Sequence, residues 1–399
     1  MKRIVLGVLA LVVIAIAVIA AAWVKFDIPR EELVAKYASD ASQFIELPSG
    51  AVAHVRDEGR PDGDVLVLVH GSNASLHTWE PWVAALGDTY RIISIDMPSH
   101  GLTGAVPNED YSVSGMVAFT REVVQALDVG SFTLAGNSMG GAVALNYAVS
   151  YPDDLDGLIL VCAAGIAREK DEVPSGDASF AFSLVRMPVV GDALMLVTPR
   201  FIFEDATRGV FVDQSVVTDE MVDRYYELNV MEGTRPATFK RFATPRAPVP
   251  DETVRQLEVP TLVMWGDKDP LIPVSVGERF HALLPNSTLV VYENVGHIPM
   301  EEVAEVSAAD VRGFMEANAA RMPALEATVT LEDDGSLTVT GPQSGLAPMT
   351  DADVPDADVP DADVPAAEAP EGDAVVEEAA AAEAAVEDAA GEEAAGPAN

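Results

Sequence analysis

A serine lies between two glycines where a predicted strand meets a predicted helix. Residues 136–140 read Gly-Asn-Ser-Met-Gly, after the apolar run 132–135 and before the helical stretch 142–150. Such a turn is tight enough to strain the serine backbone, and small residues two positions before and after it prevent a clash. The hydroxyl of Ser138 is then lifted clear of the sheet, in a nucleophile's position. A glycine-rich turn with an idle serine is the alternative that this short pattern leaves open.

A serine hydroxyl needs a base to take its proton, and the usual base is a histidine oriented by a carboxylate. His297 lies just after a predicted strand and before the last predicted helix. Asp267 and Asp269 directly follow another predicted strand and are the candidate carboxylates. Active sites gather in loops at the carboxyl ends of parallel strands, so these side chains are expected to meet Ser138 there.

The negative charge that develops on an attacked carbonyl oxygen needs backbone N–H donors. One donor is expected from Met139, the residue after the serine, and the other from Ser72 in the loop 70–73. His70 and His100 are interpreted as structural residues of their turns. The remaining histidines, His54, His77 and His281, have no supporting motif.

Metal and cofactor sites are not predicted. No pair of histidines has the spacing of metal ligands, and one cysteine disfavours a structural zinc site. That residue, Cys162, ends an apolar run and is interpreted as a small buried hydrophobe rather than a nucleophile.

Strand-like apolar runs alternate with helix-like segments along most of the chain. They predict an α/β fold with a mostly parallel, doubly wound sheet of about eight strands. The runs are residues 44–47, 51–55, 65–69, 91–95, 132–135, 158–161, 261–265 and 288–291. Residues 165–257 break the alternation and are interpreted as a helical cap over the carboxyl edge of the sheet, with ordinary packing helices as the alternative. The core then comprises residues 44–164 and 258–321.

The N-terminus carries 21 uncharged residues, 4–24, after two basic residues. A helix of that length spans ~31 Å, close to the thickness of a bilayer's hydrocarbon core. We expect residues 1–25 to form a single-pass membrane anchor with the catalytic domain on the exported side. Secretion after signal cleavage at the alanines 20–22 is the alternative. Residues 26–43 are predicted to be a linker.

The formal net charge of −40 is unevenly distributed. Residues 322–399 contain 20 acidic and no basic residues, which leaves 64 − 20 = 44 acidic against 24 basic residues elsewhere. A nucleic-acid partner is not expected, because binding one requires Lys and Arg to neutralise phosphates. Residues 322–399 are predicted to be a disordered acidic tail, with one hairpin pattern at 327–340.

Five motifs in order make residues 44–320 resemble the α/β-hydrolase superfamily. They are His-Gly at 70–71, Asp-Met-Pro-Ser-His-Gly at 96–101, Gly-Asn-Ser-Met-Gly-Gly at 136–141, Trp-Gly-Asp-Lys-Asp at 265–269 and Gly-His at 296–297. The resemblance implies Ser138 as nucleophile, His297 as base and Asp269, not Asp267, as acid. It also implies that residues 165–257 form a cap.

Within this superfamily, residues 136–142 are similar to carbon–carbon hydrolases of aromatic ring-cleavage products. Two departures favour a carboxylester hydrolase, which is expected to act on a small-molecule acyl substrate and to need no cofactor. Residues 72–75 replace a glycine-rich segment, and Ile298 replaces a tryptophan after the histidine. A carbon–carbon hydrolase, acyl transfer to an acceptor other than water, and a non-catalytic ligand-binding protein remain the alternatives.

Overall fold

The structure is a computed structural model that describes residues 26–169, 172, 198–320, 328–331 and 337–340. The predicted anchor, much of the acidic tail and part of the predicted cap lie outside these ranges. No helix within the described ranges has both the length and the apolar character needed to cross a membrane.

An eight-stranded sheet lies in the unit that ends at residue 324, in the order β1-β2-β4-β3-β5-β6-β7-β8. β1 and β2 pair in antiparallel fashion with each other, β2 is antiparallel to β4, and all other neighbours are parallel. The predicted α/β fold and mostly parallel sheet are therefore confirmed. The strands are β1 (Ser42–Glu46), β2 (Val52–Gly59), β3 (Val65–Val69), β4 (Arg91–Ile95), β5 (Phe132–Asn137), β6 (Leu155–Val161), β7 (Thr261–Gly266) and β8 (Ser287–Tyr292).

Helices cover both faces of this sheet. They are α1 (Arg30–Tyr37), α2 (Glu80–Leu86), α3 (Val113–Ala126), α4 (Met139–Ser150), α5 (Arg200–Arg208), α6 (Asp219–Asn229), α7 (Thr234–Ala243), α8 (Asp251–Arg255), α9 (Val274–Leu283), α10 (Pro299–Glu302) and α11 (Ala304–Ala319). Val67 and Val69 of β3 belong to the core that contains α3, α4 and α9, whereas Leu66 and Leu68 belong to the core with α2 and α11. A strand buried on both faces explains the uninterrupted apolar runs.

The predicted linker is part of the folded body. Leu33 of α1 is buried in a small cluster with Leu102, Leu228 and Met231, and the N–H of Ile28 donates to the carbonyl of Val230 at 3.0 Å. The expectation of a connecting linker at 26–43 missed this docking, because only one residue of the polar helix α1 is buried. β1 also begins inside that range, at Ser42.

The chain between β6 and β7 is helical in its described part, which contains α5 to α8. It contacts the loops at the carboxyl edge of the sheet: the carbonyl of Val210 accepts from the N–H of His297 at 2.8 Å. A bridge between Ile166 and Val249 joins the two ends of the inserted segment. The segment therefore lies against the loops that carry the predicted site residues.

Residues 325–399 form a separate unit, of which the structure describes one hairpin. β9 (Thr328–Leu331) pairs in antiparallel fashion with β10 (Leu337–Thr340), and Leu331 lies opposite Leu337. The hairpin pattern read from residues 327–340 is thereby confirmed. The remainder of the acidic tail lies outside the described residues.

Candidate active site

Ser138 lies on a strained turn between β5 and α4. Its backbone has φ 55° and ψ −114°, outside the regions that side-chain-bearing residues ordinarily adopt. A Cβ on Gly136 would overlap the carbonyl oxygen of Gly140, and a Cβ on Gly140 would overlap that of Val69. Only glycine fits at these two positions. The prediction that small residues two positions before and after Ser138 prevent a clash is therefore confirmed.

His297 and Asp269 form a buried pair. The Asp269 Oδ2 and His297 Nδ1 atoms are 2.6 Å apart. The second carboxylate oxygen of Asp269 accepts the backbone N–H groups of Leu271 at 2.8 Å and Ile272 at 2.9 Å. The Asp267 carboxylate instead accepts the backbone N–H of Asn294 at 2.6 Å. Of the two candidate carboxylates, the structure therefore brings Asp269 to the histidine.

The other imidazole nitrogen of His297, Nε2, is buried and has no hydrogen-bond partner among the described residues. Since the ionised carboxylate can only accept, Nδ1 carries the proton and Nε2 has a free lone pair. Ser138 Oγ is not hydrogen-bonded to Nε2, a contact that often tightens only in the substrate complex. The pair can therefore accept a proton at Nε2.

Asn137 links the serine turn to the histidine loop. Its Nδ2 donates to the carbonyl oxygens of His297 at 3.1 Å and Val161 at 3.2 Å. The side chain is buried and holds the residue before Ser138 against the loop that carries His297. Sequence reasoning assigned Asn137 no role of its own, and the only available signal was a polar residue inside an otherwise apolar strand end.

The loop after β3 lies against the serine turn. A Cβ added to Gly71 would come within 3.2 Å of Ser138 Cβ and 2.8 Å of Asn137 Oδ1. The N–H groups of Ser72 and Met139 have no acceptor among the described residues. Unpaired backbone donors in two loops that lie against each other beside a serine are the groups that an oxyanion hole requires. The structure therefore brings the loop of Ser72 and the loop of His297 against the turn that carries Ser138 and Met139, and Asp269 contacts His297.

His70 orients this loop, as expected for a structural residue. Its Nδ1 donates to the Gly71 carbonyl at 2.8 Å, and its Nε2 accepts the N–H of Met97 at 3.1 Å. His70 thereby ties the end of β3 to the end of β4. Burial lowers the pKa of His70, which keeps the imidazole neutral and both hydrogen bonds intact.

Cys162 lies beside the buried pair. One ligand atom each from Cys162, Asp269 and His297 fall within 4.8 Å of one another, the only such group of potential metal ligands among the described residues. Burial, followed by the negative charge of Asp269, raises the pKa of the Cys162 thiol well above its ordinary value. The thiol therefore stays protonated, and Asp269 already has hydrogen bonds at both oxygens.

A second serine–histidine–aspartate array was not anticipated. His54 Nδ1 lies 2.6 Å from Asp96 Oδ2, and His54 Nε2 lies 2.9 Å from Ser42 Oγ. Asp96 also accepts the backbone N–H groups of Leu76 and Leu102, both at 2.8 Å. His54 carried no motif in the sequence, and only the pairing of β2 with β4 reveals its partner.

Comparison with known proteins places these features in a family. A family model described as alpha/beta hydrolase fold matches residues 64–304, more than half of the chain. The 2-hydroxy-6-oxo-2,4-heptadienoate hydrolase of Pseudomonas putida is 27% identical over 260 residues, which cover 63% of this chain and 88% of that protein. Lipase 1 of Psychrobacter immobilis is 24% identical over 284 residues, 68% of this chain and 82% of the lipase.

A solved structure has the same fold. The esterase RhEst1 from Rhodococcus sp. ECU1013 superposes with a TM-score of 0.57 at 26% identity. The match covers 69% of this chain and 99% of the esterase.

Proposed function

Since the chain belongs to the alpha/beta hydrolase fold family, we propose that it is a serine hydrolase of carboxylic esters. Ser138 Oγ attacks the ester carbonyl carbon, and its proton passes to Nε2 of His297. Asp269 holds the imidazole in the required tautomer and stabilises the imidazolium. The proton then passes to the leaving alkoxide, and water attacks the acyl-enzyme by the same route, which releases the acid and restores Ser138.

The N–H groups of Ser72 and Met139 are proposed to bind the oxyanion of both tetrahedral intermediates. They are preorganised, because His70 fixes the first loop and helix α4 fixes the second donor. Donors of this kind contribute more to the transition state than to the ground state, where the carbonyl oxygen carries less charge.

One observation above all supports this proposal. The His297–Asp269 hydrogen bond of 2.6 Å leaves Nε2 buried and unpartnered among the described residues, in a loop that Asn137 ties to the residue preceding Ser138. A buried imidazole lone pair without a donor is a cost in stability. The role of His297 as a general base for Ser138 explains why the protein keeps this unpaired nitrogen despite the loss of stability.

The test is ester hydrolysis by the full chain. Ser138→Ala should lower kcat for p-nitrophenyl esters by roughly 10⁴-fold or more, since it removes the nucleophile. The matched control is Ser131→Ala, an exposed serine that begins the same segment, and it should retain the wild-type rate. A fluorophosphonate probe should label wild type and S131A but not S138A. Labelling of S138A, or its undiminished turnover, would refute the nucleophile.

Carbon–carbon bond hydrolysis is the second candidate, favoured by the Pseudomonas putida relative and by residues 136–142. Against it stands Ile298, which is buried and apolar directly after the histidine. Incubation with a 2-hydroxy-6-oxo-dienoate and, separately, with p-nitrophenyl esters of short and long acyl chains separates the candidates. Faster turnover of the dienoate than of every ester would select carbon–carbon hydrolysis.

We further propose that residues 4–24 anchor the enzyme in a membrane, with the folded body on the exported side. The 21 uncharged residues after Lys2 and Arg3 support this orientation. Membrane fractionation and protease protection of the intact chain provide the test. Recovery in the medium of a protein that lacks the residues up to the alanines 20–22 would show secretion after cleavage instead.

A further inference from the structure

An arginine of the inserted helical segment lies buried against the proposed oxyanion hole. Arg241, near the end of α7, has an exposed fraction of 1%. Its guanidinium donates to four neutral atoms: Ser72 Oγ at 3.0 Å, Asn73 Oδ1 at 3.0 Å, Ser99 Oγ at 3.1 Å and Met139 Sδ at 3.5 Å. Two of these four residues are the proposed oxyanion-hole donors.

This guanidinium has no acidic partner within the described ranges of the chain. None of the ion pairs formed there includes Arg241, and the charged residue that affects it most is another cation, Arg246. Burial lowers the pKa of Arg241 to about 9, so the group keeps its charge at neutral pH. A buried charge without a counter-charge destabilises a protein unless something else offsets it.

The contacts of Arg241 hold two loops in uncommon conformations. Asn73, after β3, has φ 60°, and Ser99, after β4, has φ 69°. Asn229, at the end of α6, adds a second tie from the insertion, because its Nδ2 donates to the Asn73 carbonyl at 2.7 Å. The loop 70–73, which carries Ser72, is thus held in position by helices of the inserted segment as well as by strand β3.

We propose that Arg241 is a positioning residue that sets the oxyanion hole from the inserted segment and whose positive charge favours the anionic tetrahedral intermediate. The missing counter-charge forms during the reaction, when the carbonyl oxygen between Ser72 and Met139 becomes an oxyanion. The inference rests on the proposed ester hydrolysis. It extends that proposal, because the insertion then contributes to the chemical step as well as covering the site.

A charge that acts on the oxyanion affects kcat and not KM, since a neutral ester carries no full charge in the ground state. Arg241→Met keeps an apolar stem of similar length and removes the charge. We expect its kcat to fall roughly 10- to 100-fold with little change in KM, less than the loss of a direct oxyanion donor. Arg241→Lys keeps a charge and should recover part of that loss.

Inhibitor binding separates charge from packing. Phenylboronic acid forms a bond from Ser138 Oγ to boron while the serine proton passes to His297, which yields an anionic tetrahedral adduct. Benzamide has a similar ring but stays neutral and non-covalent. In R241M, the inhibition constant of phenylboronic acid should weaken by about the same factor as kcat, and that of benzamide should stay within about twofold.

The control is Lys240→Met, the neighbouring residue of α7, whose exposed ammonium pairs with Glu109. It should leave kcat and both inhibition constants unchanged. Ser72→Ala removes the hydroxyl that Arg241 contacts in the loop 70–73. It should lower kcat less than R241M does, because it keeps the backbone N–H donor of residue 72. Thermal unfolding of every variant shows whether the fold is retained.

Three results would overturn the inference. The first is an unchanged kcat in R241M, and the second is an equal weakening of phenylboronic acid and benzamide. The third is a kcat in R241K as low as that of R241M. Failure of the proposed function would be seen separately, because wild type would then neither hydrolyse esters nor react with a fluorophosphonate, and the inference would fall with it.

Discussion

Two buried histidine–aspartate pairs in this protein have the same length and different surroundings. His297 with Asp269 and His54 with Asp96 both have Nδ1 and Oδ2 separated by 2.6 Å. At His54 the second ring nitrogen is satisfied by Ser42 at 2.9 Å, whereas at His297 it has no partner among the described residues. The pair itself therefore does not distinguish a proposed catalytic histidine from a structural one.

Ser42 and Ser138, the serines near these two pairs, differ more in their surroundings than His54 and His297 do. Ser42 begins the edge strand β1, and its Oγ also accepts the N–H of Ser39 at 3.0 Å. Ser138 lies on a turn with φ 55°, next to two backbone donors that have no acceptor in the described part of the chain. The Ser42 hydroxyl is already hydrogen-bonded and lies on a strand. It therefore cannot attack a carbonyl carbon whose oxygen is bound by backbone donors. We therefore attribute the proposed reactivity of Ser138 to the strained turn and the unpaired backbone donors near it.

The largest expected effect contrasts the two histidines. His297→Gln should lower kcat/KM for p-nitrophenyl esters by roughly 10⁴-fold, because it removes the proposed base, and should change the free energy of unfolding little. His54→Gln should retain the activity per folded molecule and lose roughly 3 kcal/mol of unfolding free energy, since it leaves Asp96 buried with fewer partners. Ester kinetics with urea denaturation measures both. Comparable activity losses in the two variants would show that His297 and His54 do not differ in their importance for catalysis.

The next effect contrasts the two aspartates of one loop. Asp269→Asn should reduce kcat roughly 10³- to 10⁴-fold, because an amide in place of the carboxylate favours the wrong imidazole tautomer. Asp267→Asn is the matched control, two residues away, and should stay within about threefold of wild type. Steady-state kinetics of both variants decides the assignment. A larger loss in D267N than in D269N would reverse it.

A pH effect on stability is expected at the structural pair of His54 and Asp96. Burial by itself would raise the pKa of Asp96, but the hydrogen bond from His54 holds it well below its ordinary value. A depressed carboxyl pKa stabilises the fold above the unfolded value of about 4, and this contribution is lost as the pH falls from there towards the folded value. The difference in unfolding free energy between wild type and Asp96→Asn should therefore shrink as the solution is acidified from about pH 6 to about pH 3. A difference that stays constant over this range would show that folding does not depress the pKa of Asp96.

The smallest effect concerns the serine of the structural array. Ser42→Ala removes one hydrogen bond to His54 and should lower the unfolding free energy by about 1 kcal/mol without changing kcat or KM. Chemical denaturation and ester kinetics measure the two quantities. Reduced fluorophosphonate labelling of S42A would indicate that Ser42 also reacts, which would weaken the contrast with Ser138.

Local sequence was enough to locate the turn that carries Ser138 and the strands that flank it. The glycines at 136 and 140 are required by backbone atoms a few residues away or on the adjoining strand. The apolar runs follow from strands covered on both faces. The linker predicted at 26–43 missed the docking of α1, because a helix with one buried residue has no distinctive pattern.

By itself, the sequence determined the α/β alternation, the strained serine turn, the loop histidine and a pair of candidate aspartates, because each depends on residues close together in the chain. The family resemblance had already pointed to Asp269 rather than Asp267 as the acid. Only the tertiary structure showed the contact between Asp269 and His297, the partner of His54 42 positions away, and the contact of Arg241 with Ser72 across 169 positions. Contacts of that separation depend on strand order and on how an inserted segment folds back over the sheet. No local propensity encodes either of these.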